Sequence, residues 1–186
     1  RGPLVMCAEA VDNERPVVSY FVDEIGRQGD VNCYVESVVE GIPYVDIDVK
    51  VAVEDGVKPA VLRLLPYYAW NNRGNAAMNV WFARSEQTAR EGAPRLASNV
   101  ASVKATDTYG NDDVNAIVDD LRPKHSHDNN IPRWTSWPQK GKVQEVEIVL
   151  KKRQPIECVQ VYWYDDNGGV QLPVSWSMQY MCDGEW

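Results

Sequence analysis

The sequence lacks a long apolar run and a cluster of basic residues. No stretch approaches the roughly 20 consecutive apolar residues of a membrane-spanning helix, so no such helix is expected. Acidic residues number 27 against 19 Lys and Arg, and the formal net charge is −8. Because binding to nucleic-acid phosphates depends on concentrated positive charge, this composition argues against a nucleic-acid partner.

Closely spaced cysteines are also missing. The four cysteines are widely scattered, and none forms the Cys-x-x-Cys spacing of zinc and redox sites. They are Cys7, Cys33, Cys158 and Cys182. Each lies in a strand-like segment, which favours small buried side chains. The alternative is a disulfide bond, Cys7–Cys33 or Cys158–Cys182.

The first residues also lack the pattern of a leader sequence. Residues 1–5 (RGPLV) contain no Met and no apolar leader core, and they already belong to a strand-like run. Residues 183–186 (DGEW) have the composition of a hairpin turn without a returning strand. We therefore expect the sequence to be an excerpt of a longer protein.

What the sequence does contain is the alternation typical of β-strands. Its hydrophobic content of 44% is sufficient for a buried core. From 45 to 53 a Val or Ile occupies every second position, which predicts a strand with one buried and one wet face. Asp55-Gly56 then predicts a tight hairpin turn into a second strand at 57–65.

The same alternation predicts several further strands and one short helix. The strands are expected at 4–9, 17–21, 31–39, 78–82, 146–150, 159–163 and 174–182. Within one of them, Trp163 is expected on the opposite face from Tyr162 and Tyr164. The one helix-like stretch is 113–121, which a proline follows.

Residues 85–98 interrupt the alternation with polar, Gly and Pro residues typical of a linker. We place a domain boundary near Gly92, with one domain at 1–91 and a second at 92–186. Evenly spaced short strands on both sides predict an all-β protein of two tandem antiparallel β-sandwiches.

Three segments resemble a family of glycoside hydrolases. Residues 1–5 (RGPLV), 65–74 (LPYYAWNNRG) and 131–134 (IPRW) are similar to the region after the barrel in β-L-arabinofuranosidase-type enzymes of family 127. The resemblance implies a bacterial parent enzyme with an (α/α)6 barrel that carries catalytic Glu and Cys residues. None of those motifs can be placed in this chain, so the resemblance implies a non-catalytic accessory portion whose partner is the missing barrel.

The second half is separately similar to galactose-binding-like sandwiches of the F5/8 type C (discoidin) kind. The similar segments are 101–102, 116–120, 134, 159–161, 173–176 and 183–186. This resemblance implies a jelly-roll sandwich at 92–186, incomplete at its C-terminus because the family's strands continue past the DGEW position. It also raises the expectation of a structural calcium ion.

The strongest candidate for a sugar site is the segment 125–137. It contains His125, Arg133, Trp134 and Trp137, which combine flat apolar faces with hydrogen-bond donors as sugar recognition requires. The alternative is that the two Trp side chains pack between the sheets.

A second aromatic and polar group follows a predicted strand. It consists of Tyr67, Tyr68, Trp70, Asn72 and Arg73. We expect this group to pack against the missing barrel or to border its pocket. The alternative is that it closes the core of the sandwich.

Acidic pairs carry less information, because a chain with 27 acidic residues contains such pairs by chance. We assign no catalytic residue. Asp112, Asp113 and Asp119 are candidate ligands for calcium, which prefers carboxylate and carbonyl oxygens. Solvated turn residues are the alternative.

Two functions follow from these observations. The first is an accessory scaffold that stabilises an exported hydrolase in the periplasm, at the cell surface or in the medium, with no required cofactor. The second is a carbohydrate-binding module that targets the parent enzyme to plant-type glycans. A scaffold should expose an apolar patch, whereas a binding module should expose a Trp or Tyr platform with Arg or Asn at its rim.

Overall fold

The computed structural model describes most of the second half of the chain and separate segments of the first. The described residues are 7–10, 19–23, 30–37, 47–52, 58–67, 75–83, 99–137, 144–156, 158–166, 168–173, 175–181, 184 and 186. For the first four segments, up to residue 52, the backbone alone is described.

The described residues form ten β-strands. They are β1 (Cys7–Ala10), β2 (Ser19–Asp23), β3 (Asp30–Ser37), β4 (Ile47–Ala52), β5 (Val61–Tyr67), β6 (Met78–Ala83), β7 (Val100–Ala105), β8 (Val146–Leu150), β9 (Cys158–Trp163) and β10 (Ser175–Met181). One sheet has the order β1-β4-β9-β6 and the other β2-β3-β10-β5-β8-β7. All strand pairs are antiparallel, which confirms the all-β antiparallel prediction.

Both halves of the chain contribute to both sheets. In the smaller sheet β9 lies between β4 and β6, and in the larger sheet β10 lies between β3 and β5. The described strands of 92–186 thus complete the sheets that 1–91 begins, which differs from the pairing expected of two tandem sandwiches. Alternation identifies the buried face of a strand but not its neighbour, so the pattern that predicted tandem sandwiches could not determine which strands pair. Gly92 itself lies outside the described residues.

The hairpin predicted at Asp55-Gly56 is wrong. β4 pairs with β1 and β9 in the smaller sheet, whereas β5 pairs with β10 and β8 in the larger one. The turn residues themselves lie outside the described part of the chain. A turn dipeptide between two alternating segments predicts a reversal of direction, but that reversal can equally lead from one sheet to the other.

Alternate residues from the two sheets form an apolar core between them. β6 contributes Met78 and Val80, and β9 contributes Val159, Val161 and Trp163. The larger sheet contributes Leu62, Leu64, Val103, Val146, Ile148, Leu150, Trp176, Met178 and Tyr180. The sheets also meet through the rings of Trp163 and Trp176, whose centroids lie 5.6 Å apart in an edge-to-face arrangement. Burial of this apolar area is the main stabilising contribution to the fold.

A short 3-10 helix replaces the longer helix-like stretch that the sequence predicts. It covers Val114–Val118 and is capped by Asp113, whose side chain accepts a hydrogen bond from Asn115 N–H. Asp120 follows with a φ of 63°, a left-handed conformation that ends the helix and that Asp tolerates better than most residues. No helix in the described residues is long and apolar enough to cross a membrane.

Candidate functional site

The outward face of β6 and β9 is covered rather than open to solvent. We call residues 119–137 the covering segment, since Arg122, Ser126 and Arg133 of this segment contact residues on this face. The buried outward residues are Asn79, Trp81, Gln160, Tyr162 and, just after β9, Tyr164. Tyr162 and Tyr164 belong to a second cluster, separate from the core that contains Trp163, which confirms the predicted alternation.

Hydrogen bonds join the covering segment to the aromatic residues below it. The Ser126 hydroxyl lies 3.3 Å from the Tyr162 hydroxyl and accepts from the Asp165 backbone N–H at 2.9 Å. The Tyr164 hydroxyl donates to Asn79 Oδ1 at 2.6 Å, and Asn79 Nδ2 donates to the Ala116 carbonyl, also at 2.6 Å. These bonds give buried polar groups the partners that they require away from water.

Two arginines of the covering segment lie over aromatic rings. The guanidinium carbon of Arg122 is 4.3 Å from the centroid of Trp81, and its Nη2 donates to Gln160 Oε1 at 2.8 Å. Arg133 lies 5.8 Å from the Tyr164 centroid, and its Nη1 donates to the Ser126 carbonyl at 3.4 Å. Both side chains combine a cation–π contact with a hydrogen bond, so they hold the segment against the sheet.

Trp134, the central residue of the predicted sugar site, is buried. Only 2% of its surface is exposed, and it belongs to the core between the sheets. Its indole N–H lies 3.1 Å from both the Asp107 carbonyl and the Thr108 hydroxyl oxygen. A stacking platform must present an open ring face, so the structure supports the packing alternative for Trp134.

Trp137 is half-buried and packs against Gly169. A Cβ atom added at Gly169 would overlap the six-membered ring of Trp137, so this contact requires glycine. The Gly169 carbonyl also accepts from Asn75, from the side-chain Nδ2 at 2.8 Å and from the backbone N–H at 3.0 Å. Trp137 therefore contributes to a junction between the covering segment, the chain before β6 and the turn after β9.

The histidine end of the segment is exposed and fixed by local hydrogen bonds. His127 N–H donates to His125 Nδ1 at 3.2 Å, and His127 Nε2 lies 3.1 Å from the Asp166 carbonyl oxygen. Asp128 accepts hydrogen bonds from the backbone N–H groups of Lys124 and Asn130. These bonds, that of Lys124 first, lower the pKa of Asp128.

The three candidate calcium ligands have other roles. Asp112 Oδ2 accepts from the Thr135 hydroxyl at 2.7 Å, Asp113 caps the 3-10 helix, and Asp119 Oδ1 accepts from the Leu121 backbone N–H at 2.9 Å. Burial raises the pKa of Asp119. Within the described residues, no three His, Cys, Asp or Glu side chains gather into a group that could hold a metal ion.

The second aromatic group and the cysteines fall mostly outside the described side chains. Tyr67 is the last residue of β5, and Tyr68, Trp70, Asn72 and Arg73 lie outside the described residues. Cys7 and Cys158 are on strands of the smaller sheet and Cys33 is on a strand of the larger one, with only their backbones described. Cys182 lies outside. The roles and pairings expected of these residues stay predictions.

Sequence patterns did not identify the residues that hold the covering segment in place. Arg122, Ser126, Asn79 and Gln160 were not singled out, because each is an ordinary polar residue in a chain rich in them. A usable signal was present for Asn79 and Gln160: each lies inside a strand, two positions before an aromatic residue on the same face. A polar residue at such a position is typical of a face that is covered by hydrogen-bonded structure.

Comparison with known proteins gives a match for the first part of the chain. Residues 1–83 match the family model described as the glycoside hydrolase family 127 C-terminal domain. This confirms the resemblance for these residues, and it includes β6, the strand that supplies Asn79 and Trp81 to the covered face. The covering segment lies outside the matched residues.

One curated protein extends the comparison. A 99-residue alignment to the non-reducing end beta-L-arabinofuranosidase of Bifidobacterium longum subsp. longum is 33% identical and covers 45% of this chain. The same alignment covers 15% of the bifidobacterial protein. None of the solved structures gives a significant match.

Proposed function

We propose that this chain is a non-catalytic accessory region of a glycoside hydrolase of the β-L-arabinofuranosidase type. The match of residues 1–83 to a domain described as C-terminal in family 127 carries this proposal. The similarity to a bifidobacterial β-L-arabinofuranosidase supports the same enzyme type. The partner is then the catalytic barrel of the same polypeptide.

The geometry of the covering segment supports a structural role for it. Its central Trp134 is in the core, its Trp137 packs on Gly169, and its arginines lie over buried rings. These Trp and Arg side chains therefore stabilise the sandwich, and they are not arranged around an open cleft. A rigid sandwich of this kind suits the task of supporting a neighbouring domain.

The experiment that tests the proposal compares the longer polypeptide with and without residues 1–186. We expect the deletion to lower the Tm of the catalytic barrel and its retained activity after heating, because an interdomain interface is lost. The isolated chain should not hydrolyse 4-nitrophenyl β-L-arabinofuranoside. An unchanged Tm after deletion would overturn the scaffold role, and hydrolysis by the isolated chain would overturn the non-catalytic assignment.

An exported location belongs to the same proposal. Plant-type glycans are polymers outside the cell, so an enzyme that acts on them has its substrate in the periplasm, at the cell surface or in the medium. Fractionation of cells that express the longer polypeptide from its own gene tests this point. Recovery of the protein in the cytosolic fraction alone would contradict it.

A further inference from the structure

Strand register places three aromatic residues at one level of the larger sheet. Tyr34 of β3 is directly opposite Phe21 of β2 on one side and Ser175 of β10 on the other. Ser175 is in turn directly opposite Tyr67 of β5. Because neighbouring strands lie about 4.8 Å apart, these four positions span about 14 Å across the sheet. We call Phe21, Tyr34, Ser175 and Tyr67 the aromatic row.

The aromatic row lies on the outward face of the larger sheet. Trp176 of β10 belongs to the apolar core between the sheets, and Ser175 directly precedes it. Successive positions of a strand alternate between its two faces, so Ser175 occupies an outward position. Directly opposite residues of neighbouring strands share a face. The three aromatic positions of the row are therefore outward as well.

Another level of the same outward face is polar and has partners within the chain. Arg63 of β5 is directly opposite Glu147 of β8 and Gln179 of β10. Its Nε lies 2.9 Å from Glu145 Oε1, and its guanidinium carbon lies 3.6 Å from the centroid of the Trp186 ring. An antiparallel sheet that faces water carries polar residues of this kind on its outer side. The aromatic row departs from that pattern, and a group of aromatic residues on an outer face is typical of an interface.

We propose that the aromatic row is the surface on which the catalytic barrel of the same polypeptide packs. The inference rests on the proposed function, which supplies the barrel as the partner. The strands β2, β3 and β5, which carry the aromatic residues of the row, all lie within the part that matches a family 127 C-terminal domain. The alignment to the bifidobacterial enzyme covers 15% of that protein, so most of the enzyme lies outside the matched region.

The size of the row suits an interface between domains. Aromatic side chains bury about 150–250 Å² each when they are covered. Three of them would supply a large share of an interdomain interface of about 600–1,500 Å². Tyr67 also begins the aromatic and polar group that the sequence predicts to pack against the barrel, and the register adds Phe21 and Tyr34 to that surface.

Hydroxyl-radical footprinting read by mass spectrometry tests the proposal without any substitution. The longer polypeptide is compared with the chain of residues 1–186, and the oxidation rates of Phe21, Tyr34 and Tyr67 are measured in both. We expect each of the three to be oxidised several-fold more slowly in the longer polypeptide, because the barrel covers them. Tyr109, which is 49% exposed and lies outside the row, is the matched control and should be oxidised equally in both.

Equal oxidation of the row in the two proteins would overturn the proposal. Equally fast oxidation would mean that the barrel does not cover the row, and equally slow oxidation would mean that other residues of the chain cover it. Protection that is lost when the longer polypeptide is diluted would also overturn the proposal, because a second copy would then be the partner.

A substitution separates this inference from the proposed function. Tyr34→Ser in the longer polypeptide should lower the Tm of the barrel by about 2–4 °C. Gln179→Ser, at the polar level of the same face, is the matched control and should leave that Tm unchanged. If deletion of residues 1–186 lowers the Tm of the barrel and Tyr34→Ser does not, the aromatic row is not the interface and the accessory role stands. If the deletion itself has no effect, the accessory role fails, and this inference fails with it.

Discussion

The two faces of the smaller sheet at β6 and β9 are buried by different means. Toward the larger sheet the side chains are apolar, and the buried indole N–H groups of Trp163 and Trp176 have no hydrogen-bond partner. On the outward face, the hydroxyl groups of Tyr162 and Tyr164 both lie within hydrogen-bonding distance of polar side chains. One face therefore depends on packing, and the other adds directed polar contacts to packing, although the indole N–H of Trp81 on that face has no hydrogen-bond partner either.

The largest expected effect lies in the apolar core. Trp163→Ala should lower the free energy of unfolding by about 3–5 kcal/mol, because it removes a fully buried ring that also contacts Trp176. Urea denaturation followed by circular dichroism measures the loss. Trp163→Phe is the control and should cost much less, since the indole N–H already has no partner. Equal losses in the two variants would mean that the core does not depend on packed volume.

The second largest loss of stability is expected at the contact between Trp137 and Gly169. Gly169→Ala should destabilise by about 1–3 kcal/mol, because the new methyl group overlaps the Trp137 ring. Gly168→Ala is the matched control, with its nearest atom, Asp166 Oδ1, 3.1 Å from the added Cβ. In a Trp137→Ala background the cost of Gly169→Ala should largely vanish. An additive double mutant would show that the two residues do not contact.

A smaller loss of stability is expected on the outward face of β6 and β9. Tyr164→Phe removes the hydroxyl that donates to Asn79 Oδ1 and leaves that buried oxygen without this partner. We expect a loss of about 1–2 kcal/mol in the free energy of unfolding. Tyr109→Phe, at an exposed ring, should be close to neutral. If both substitutions are neutral, the outward face is stabilised by burial alone and the contrast between the faces disappears.

The smallest effect is a pH dependence at the covering segment. Hydrogen bonds hold the pKa of Asp128 below its ordinary value of 3.8. A lowered pKa means that the carboxylate contributes stability above the ordinary value and that this contribution is lost as pH falls through the folded-state pKa. Asp128→Asn should therefore lower Tm at neutral pH, with the difference shrinking in strong acid. A Tm difference that does not change with pH would contradict this assignment.

Local sequence patterns predicted the strands well and their partners poorly. Nine of the strands correspond to alternating segments, with ends that differ by several residues in the first half. β7 was missed, because Val103 is its one buried residue. Its apolar and polar residues therefore alternate only weakly. The Asp55-Gly56 hairpin failed for a different reason: a turn predicts that the chain reverses, not which sheet it enters.

The sugar site predicted at 125–137 stays a prediction, but the structure shows what its central Trp does. Within the segment 125–137, Trp134 joins the core and Arg133 lies over the ring of Tyr164, just after β9. Sequence composition identifies aromatic and polar groups that suit a sugar. It does not contain the information about which of those groups are covered by a distant strand.

The sequence alone determined the all-β class, the alternation that separates Trp163 from Tyr162 and Tyr164, and the similarity of residues 1–83 to a family 127 domain. These features depend on residues close together in the chain or on a local sequence match. The tertiary structure decided that β9 and β10 lie between strands of the first half and that Trp186 meets Arg63. Strand partners and side-chain cover depend on contacts between residues far apart in sequence, which a local pattern does not encode.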